Sequence, residues 1–293
     1  MTTRRASLRV AFAARLALVA VSGAGVAACK DSGKLSAAKA SEHVAFLVDT
    51  VAKDVDEVRR GLPEGAKILA TRLKSDPAVS KDLNAAHDAL EVARRKVQDL
   101  RIAKSTFFAL CDPTGTVLRN DQEQDRMAGR PLFASFPALS GAKDKYVETT
   151  GSMPEASGVR APRADRQWVA GTPVSVDGVT QALYVTGWSW ASYAYRLEFA
   201  LRGKLRSELA DNKDEKEPLV YVFVVEGKSV FGAPVTPEID ASTIAEMDPL
   251  SKTKGAETFS TPLELTGRSF GVAVRRAPAL GSDIAIAVLR SET

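Results

Sequence analysis

The chain has 293 residues, with 40 lysines and arginines against 36 acidic residues. The whole excess of positive charge lies in four arginines near the start: Arg4, Arg5, Arg9 and Arg15. The remainder carries 36 residues of each sign, which excludes a nucleic-acid-binding protein that works through a basic surface. The 45% hydrophobic content is that of a globular protein, and two cysteines are too few for a disulfide framework.

The first 28 residues have the layout of a secretory signal, with basic residues first, an uncharged run over 16–28 and small residues at its end. The run is too short to span a bilayer. It closes on Val26-Ala27-Ala28-Cys29, which resembles the lipobox of bacterial lipoproteins. That resemblance implies removal of residues 1–28 and acylation of Cys29, for example with palmitate. The alternative is an ordinary signal with a chance cysteine near its cleavage site.

A lipid on Cys29 would anchor the protein to a membrane, because two or more acyl chains give stable binding. Residues 29–40 are then predicted to be a lipidated tether. The expected location is the bacterial cell envelope, on its periplasmic or surface side. Lys30 stands where some bacteria place an aspartate for inner-membrane retention, which tilts the prediction towards the outer membrane.

Residues 41–103 are predicted to form a helical stalk. Six apolar residues alternate at spacings of three and four and would form one stripe of a helix: Val44, Val48, Val51, Val55, Val58 and Leu62. Pro63 is expected to interrupt or kink this helix, and Asp76-Pro77 to open another. The stalk either pairs with a second subunit, as a homodimer, or lies on a sheet of its own chain.

The hydrophobic period changes after Lys104, and residues 104–190 are predicted to form a first module. FFALCDPTGTVLRND reads as a hairpin closed at Asp112-Pro113-Thr114-Gly115. A short helix near 131–139 follows, and then strands at about 145–150, 167–174 and 180–190. Residues 191–217 are predicted to be a connecting helix, to about Leu209, and a charged linker.

Residues 218–293 repeat this order and are predicted to form a second module. LVYVFVVEGKSVFGAP reads as a hairpin, a helical piece lies near 241–247, and strands follow at about 257–264, 269–276 and 283–289. Phe108 in the first module corresponds roughly to Val222 in the second. The repeat is one of element order.

This order, with the segments FFALCDPTGTVLRND, WVAGTPVSVDGVTQALYVTGW and SFGVAVRRAPALGSDIAIAVL, resembles the double Cache sensor family. The resemblance implies an α+β fold: long N-terminal helices, then two PAS-like modules, each a five-stranded antiparallel sheet with a helical crossover. It also implies a ligand in the membrane-distal module, here 104–190. The Arg-x-Trp-Tyr motif of amino-acid-binding members is absent, so amino-acid specificity is not expected.

The sequence does not predict an enzyme. Asp112-Pro113-Thr114-Gly115-Thr116 is similar to the Asp-Lys-Thr-Gly-Thr of phosphoryl-transfer ATPases, but Pro113 replaces the lysine and a parallel-sheet pattern is missing. His43 and His87 are far apart in sequence and suggest neither a metal site nor a triad. No cofactor and no metal is expected. Cys111 lies in an apolar run and is predicted to be a core residue.

Aromatic residues mark a candidate ligand site on two strands of the first module. One predicted face holds Trp168, Ala170 and Thr172, and the other Ala182, Tyr184, Thr186, Trp188 and Trp190. These rings are predicted to line a pocket between the sheet and the crossover, with Arg130, Tyr146 and Arg166 as polar contacts. The alternative is that the aromatics simply pack beneath the helical insert.

The sequence therefore predicts a membrane-anchored, extracytoplasmic sensory lipoprotein that binds a small molecule in its first module. No output domain is recognised, so we expect it to act through a separate membrane signalling protein. The competing hypothesis is a scaffolding lipoprotein that works by protein contacts alone. A polar-lined pocket in the first module favours the sensor, whereas a filled apolar core favours the scaffold.

Overall fold

The computed structural model describes residues 7–153, 166–210, 216–255 and 257–292, with side chains from residue 32 onward. Residues 1–6 and the side chains of residues 1–31, that of Cys29 among them, lie outside the described residues, so the predicted signal and lipid anchor are not tested. Within the part of the chain that is described, no helix is long and apolar enough to cross a membrane.

A long helix, α1, runs from Ser7–Ser75 and is followed by a 3-10 turn, Pro77–Ser80. Two shorter helices, α2 (Leu83–Lys96) and α3 (Gln98–Ile102), lead into the first sheet. Asp76 is the N-cap of the 3-10 turn, and Asp82 is the N-cap of α2. The carboxylate of each accepts hydrogen bonds from backbone N–H groups of the turn that follows it. The predicted break near Asp76 is confirmed.

The first module is an antiparallel sheet in the order β2-β1-β5-β4-β3. Its strands are β1 (Phe107–Cys111), β2 (Val117–Asn120), β3 (Val147–Ser152), β4 (Arg166–Val176) and β5 (Val179–Ser189). The crossover between β2 and β3 contains α4 (Leu132–Ser135) and a 3-10 helix (Pro137–Lys143). Helix α5 (Trp190–Leu209) then leads to the second module.

The second module has the same strand order, β7-β6-β10-β9-β8. Its strands are β6 (Leu219–Glu226), β7 (Ser229–Gly232), β8 (Thr258–Leu265), β9 (Arg268–Arg276) and β10 (Ile284–Ser291), with α6 (Glu238–Glu246) and α7 (Pro249–Lys252) between β7 and β8. The predicted fold class, long N-terminal helices followed by two PAS-like modules, is confirmed. Phe108 and Val222 both lie in the core that faces α1.

Helix α1 packs on both sheets of its own chain. The predicted apolar stripe is the reason: five of its six residues are fully buried, and Val48 is half-buried. Of the two alternatives for the stalk, the structure therefore shows a helix on its own sheets. One hydrophobic core beneath α1 is continuous from the first module to the second.

Residues 32–40, which were predicted to belong to the tether, lie in α1 and pack on the second module. Ser36, Ala37 and Ala40 are buried, and the Ser36 hydroxyl accepts a hydrogen bond from the backbone N–H of Glu292 at 3.3 Å. Gly271 of β9 allows this approach: a Cβ there would lie 2.0 Å from the backbone nitrogen of Ala37. Small residues that read as a flexible tether in sequence are thus contact residues.

Helix α1 is not interrupted at Pro63. A proline removes one hydrogen bond and crowds the preceding turn. Buried side chains on both sides of Pro63, among them Leu62 and Leu69, hold the helix against the sheet. Tertiary packing therefore outweighs the local cost of the proline.

Candidate functional site

The Asp112 turn closes the first hairpin as predicted. One carboxylate oxygen of Asp112 accepts hydrogen bonds from the backbone N–H of Thr114 (2.8 Å), from that of Thr116 (3.0 Å) and from the Thr114 hydroxyl (2.6 Å). Burial raises the pKa of Asp112, but these bonds outweigh it and hold the pKa below its usual value. Gly115 takes the left-handed conformation the turn requires, with φ of 87°. The Asp112 carboxylate therefore stabilises the turn.

Cys111 is free and buried, as predicted. Burial raises the pKa of its thiol, and the nearby Asp112 and Asp125 raise it further. A thiol with a raised pKa is a poor nucleophile.

The predicted aromatic cluster exists, but it lies on the opposite side of the sheet. Trp168, Trp188 and Tyr184 are fully buried in the core beneath α1 and do not face the crossover. The rings of Trp168 and Trp188 stack with centroids 4.3 Å apart, and Tyr193 of α5 stacks on Trp188 at 4.7 Å. Both faces of the sheet are buried, one beneath α1 and the other beneath the crossover. The alternation of side chains along a strand therefore shows which residues share a face, but not which element packs on that face.

Three polar atoms of this cluster are buried and have no hydrogen-bond partner among the described residues. They are Nε1 of Trp168, Nε1 of Trp188 and the hydroxyl of Tyr184. Buried polar groups are nearly always hydrogen-bonded, so these three atoms leave unused hydrogen-bond donors in an otherwise apolar core. Burial raises the pKa of Tyr184, and its hydroxyl is therefore a neutral donor at neutral pH.

Trp190 was expected at the end of the strand, yet it begins α5, and the Ser189 hydroxyl caps that helix by accepting from the Ser192 N–H at 3.1 Å. The Trp190 indole donates to Glu226 Oε2 at 2.9 Å. Arg166, at the start of β4, donates from Nε to the same oxygen at 2.8 Å and from Nη2 to Glu226 Oε1. Arg166 of the first module thus forms an ion pair with Glu226 of the second.

The carboxylate of Glu226 is ionised in this arrangement. Burial would raise its pKa, but hydrogen bonds from Arg166, Trp190 and Thr150 outweigh burial and lower the pKa. We call these contacts the Glu226 link: Arg166 and Trp190 on the side of the first module, and Glu226 at the end of β6.

A second link joins α1 to both modules. Arg59 of α1 donates to Glu148 of β3 at 2.7 and 3.0 Å and to the carbonyl oxygen of Ala279, in the second module, at 3.1 Å. Tyr146 lies here as well, and its hydroxyl donates to Glu148 Oε1 at 2.9 Å. The predicted ligand residue Tyr146 therefore supports the contact between α1 and β3.

Asp54 is a buried acid of α1 beside the aromatic stack. Its Oδ2 accepts a hydrogen bond from the Tyr193 hydroxyl at 2.9 Å. Burial raises the pKa of Asp54 above its usual value, although Tyr193, Lys104 and Arg196 oppose the change. Asp54 is thus a buried carboxylate with a raised pKa, in contact with α5 through Tyr193.

The space between the first sheet and its crossover is apolar where the structure describes it. Thirteen buried residues form this core: Phe107, Ala109, Cys111, Val117, Met127, Leu132, Phe136, Leu139, Ala142, Met153, Val169, Leu183 and Val185. Arg130 lies in the loop that leads into this crossover and is half-buried. The six predicted site residues are therefore divided between the core beneath α1, the two links and the crossover loop.

The two histidines lie on different helices, His43 on α1 and His87 on α2. His43 is buried, with Nδ1 3.2 Å from Arg290 Nη1 and Nε2 3.6 Å from Glu208 Oε2. Burial, together with Arg290, lowers the pKa of His43, so it is neutral at neutral pH. No metal-binding group of histidine, cysteine and acidic residues is found among the described residues.

The sequence matches no protein-family profile, and no curated protein matches it by sequence. Solved structures do match. The extracellular domain of a protein described as a histidine kinase shares 12% identity at a TM-score of 0.56, over 90% of this chain and 93% of that one. A domain of a sensory box/GGDEF family protein from Vibrio parahaemolyticus shares 13% identity at 0.54, over 89% and 98%.

A methyl-accepting chemotaxis protein is also similar, with 15% identity, a TM-score of 0.53, and coverage of 89% of this chain and 98% of that one. At these identities the likeness concerns the fold. The chain therefore has a double PAS-like α+β fold, with two five-stranded antiparallel sheets of the same strand order behind a long N-terminal helix.

Several residues of the links were not identified from sequence. Glu226 follows the apolar run that forms β6, while Asp54 and Arg59 lie outside the six-residue apolar stripe predicted for the helix. A carboxylate at the end of an otherwise apolar strand was the one available signal. Only the arrangement of two sheets around one helix brings Arg59 to Glu148.

Proposed function

We propose that the chain is a sensory lipoprotein of the bacterial cell envelope, anchored through Cys29. It binds a small molecule in its first module and acts through a separate membrane signalling protein. The observation that carries the proposal is the arrangement of two equivalent modules along one helix, in the fold of extracytoplasmic sensor domains.

The links between the modules support a signalling role. Helix α1 packs on both sheets, and Arg59 contacts β3 of the first module and the loop between β9 and β10 of the second. A ligand that displaced α1 from the first sheet would also change the contacts of α1 on the second. Coupling of this kind needs an element with two arrangements, and α1 is the element that both modules share.

The scaffolding function is the second candidate, and one observation favours it. The described space between the first sheet and the crossover is filled by apolar side chains, as expected of a module that holds no ligand there. The unpartnered Trp168, Trp188 and Tyr184 favour the sensor instead, because they leave hydrogen-bonding capacity in the same module.

A thermal-shift screen separates the two candidates. The full chain, purified in detergent, is heated with members of a metabolite library, since a ligand of the folded state raises the melting temperature by mass action. The sensor is expected to give a saturable shift that Tyr184→Phe reduces and that Tyr221→Phe, at a half-buried tyrosine of β6 in the second module, leaves intact. No shift with any compound would favour the scaffold.

The lipid anchor has its own test. Cells that produce the chain are fed labelled palmitate, and the protein is followed in membrane and soluble fractions. Cys29→Ser is expected to abolish both the label and the membrane association, while Cys111→Ser keeps both. Membrane association of an unlabelled Cys29→Ser protein would contradict anchoring through this residue.

A further inference from the structure

We propose that a groove on the first module binds a small organic anion with two carboxylates. The groove lies between α2, α3 and the residue after β2, and it is lined by Glu91, Arg94, Arg95, Arg101 and Asp121. The proposal rests on the ligand-binding function proposed above and names the class of ligand. The groove lies outside the apolar core of the crossover.

The charges of the groove do not cancel. Asp121 is already engaged: its Oδ2 accepts from Arg94 Nη1 at 2.9 Å, and its Oδ1 accepts from the backbone N–H of Phe108 at 2.8 Å. Arg95 and Arg101 are exposed and have no ion-pair partner among the residues that the structure describes. Three arginines and two acidic residues line the groove, so a net positive charge remains when Asp121 is paired with Arg94.

Arg94 connects the groove to the aromatic core. Its guanidinium lies over the Phe108 ring, 5.2 Å from the centroid, and Phe108 stacks on Tyr184 at 5.9 Å. The buried hydroxyl of Tyr184 has no described partner. An anion that competes with Asp121 for Arg94 would thus act on the same aromatic residues that α1 covers.

The chemistry of the groove favours a dicarboxylate. A guanidinium is planar and binds a carboxylate through two parallel N–H···O bonds. Arg95 and Arg101 stand on two different helices, so that one ligand with two carboxylates can satisfy both. The volume of the groove, about 280 Å³, suits a small metabolite.

The same arginines also have a local use, which gives the competing outcome. Arg94 and Arg95 lie in the last turn of α2, and Arg101 in that of α3, where cations interact favourably with unpaired carbonyl groups. If this were their whole role, replacing them would lower stability and leave anion affinity unchanged.

Isothermal titration calorimetry on the full chain in detergent at low ionic strength tests the proposal, with succinate and citrate as probes. Inorganic phosphate and the dimethyl ester of succinate are the comparison compounds. We expect saturable binding of succinate and of the tricarboxylate citrate, weaker binding of phosphate and none of the ester. Arg101→Gln and Arg95→Gln are each expected to weaken binding at least tenfold, and Arg206→Gln, an exposed arginine of α5, to leave it unchanged.

Two failures are distinguishable. If neutral or cationic compounds shift the melting temperature in the library screen while succinate and citrate do not bind, the groove proposal is wrong and the sensory function stands. If nothing binds in either experiment, both are wrong. Equal loss of binding in Arg101→Gln and Arg206→Gln would also overturn the groove, because it would show a general effect of charge.

Discussion

Arg166 of the first module and Glu226 of the second form a two-point ion pair, with Nε 2.8 Å from Oε2 and Nη2 bonded to Oε1. Trp190 completes it through its indole N–H. Glu226 is almost fully buried, whereas the side chain of Arg166 is 36% exposed. The link is therefore a partly solvated pair whose buried member depends on its partners.

Glu226→Gln is expected to lower the free energy of unfolding by roughly 1–3 kcal/mol at neutral pH, because charge-assisted hydrogen bonds are replaced by weaker ones. Since the pKa of Glu226 is lowered by folding, its contribution is present above the ordinary value of 4.5 and is lost as the pH falls through the folded-state pKa. Urea denaturation of both proteins across this range measures the difference.

The matched control for Glu226 is Glu217→Gln, at an exposed carboxylate 4.0 Å from Arg202. Exposed pairs of this kind contribute less than about 1 kcal/mol. A Glu217 variant as unstable as the Glu226 variant would show that the link is no stronger than a surface contact.

Gly65 of α1 is expected to be necessary for the contact of this helix with α3 and β5. A Cβ at Gly65 would lie 2.7 Å from both Leu100 Cδ1 and Tyr184 Cε1, so Gly65→Ala must move one of them. We expect a loss of roughly 1–3 kcal/mol of unfolding free energy from overpacking, measured by urea denaturation.

Gly203→Ala in α5 is the control, because no atom lies within 4 Å of a Cβ there. It is expected to raise stability by about 0.5–1 kcal/mol, since alanine favours the helix. Replacing glycine by alanine is thus expected to lower the free energy of unfolding in α1 and to raise it in α5. Equal effects at Gly65 and Gly203 would contradict the close contact of α1.

Most of the helices and strands could be predicted from the sequence, but the elements that pack against them could not. The alternation in β4 and β5 grouped Trp168 with Ala170 and Tyr184 with Trp188 correctly, yet it placed them under the crossover instead of α1. Apolar residues follow one another in these strands because both faces are covered, and periodicity alone cannot identify each cover. Glu226 and Arg59 were missed because their ion-pair partners are distant in the chain: Arg166 lies 60 residues from Glu226, and Glu148 lies 89 residues from Arg59.

Asp54→Asn is expected to change the pH dependence in the opposite sense to Glu226→Gln. Burial raises the folded-state pKa of Asp54 above its ordinary value of 3.8, so its ionised form opposes folding at neutral pH. As the pH falls through the raised pKa towards 3.8, the wild-type protein should gain stability relative to Asp54→Asn.

Urea denaturation from about pH 7 to about pH 4 checks the Asp54 prediction. Glu57 also has a raised pKa, caused by burial and by Asp54, and is left in place in both proteins. Asp56→Asn, at an exposed neighbour on α1, is the control for the loss of one carboxylate from this helix. A wild-type protein that loses stability relative to Asp54→Asn on acidification would contradict the raised pKa.

Loss of the hydroxyl group is expected to change the free energy of unfolding in opposite directions at two tyrosines of the core beneath α1, Tyr184 and Tyr193. The Tyr184 hydroxyl is buried without a described partner, so Tyr184→Phe removes a desolvated group and should raise stability by roughly 1 kcal/mol. The Tyr193 hydroxyl donates to Asp54, so Tyr193→Phe leaves a buried carboxylate without that bond and should cost about 1–3 kcal/mol. Both are measured by urea denaturation at neutral pH. If Tyr184→Phe were instead as destabilising as Tyr193→Phe, the Tyr184 hydroxyl would have a hydrogen-bond partner in solution, and a ligand or ordered water would have to lie beneath α1.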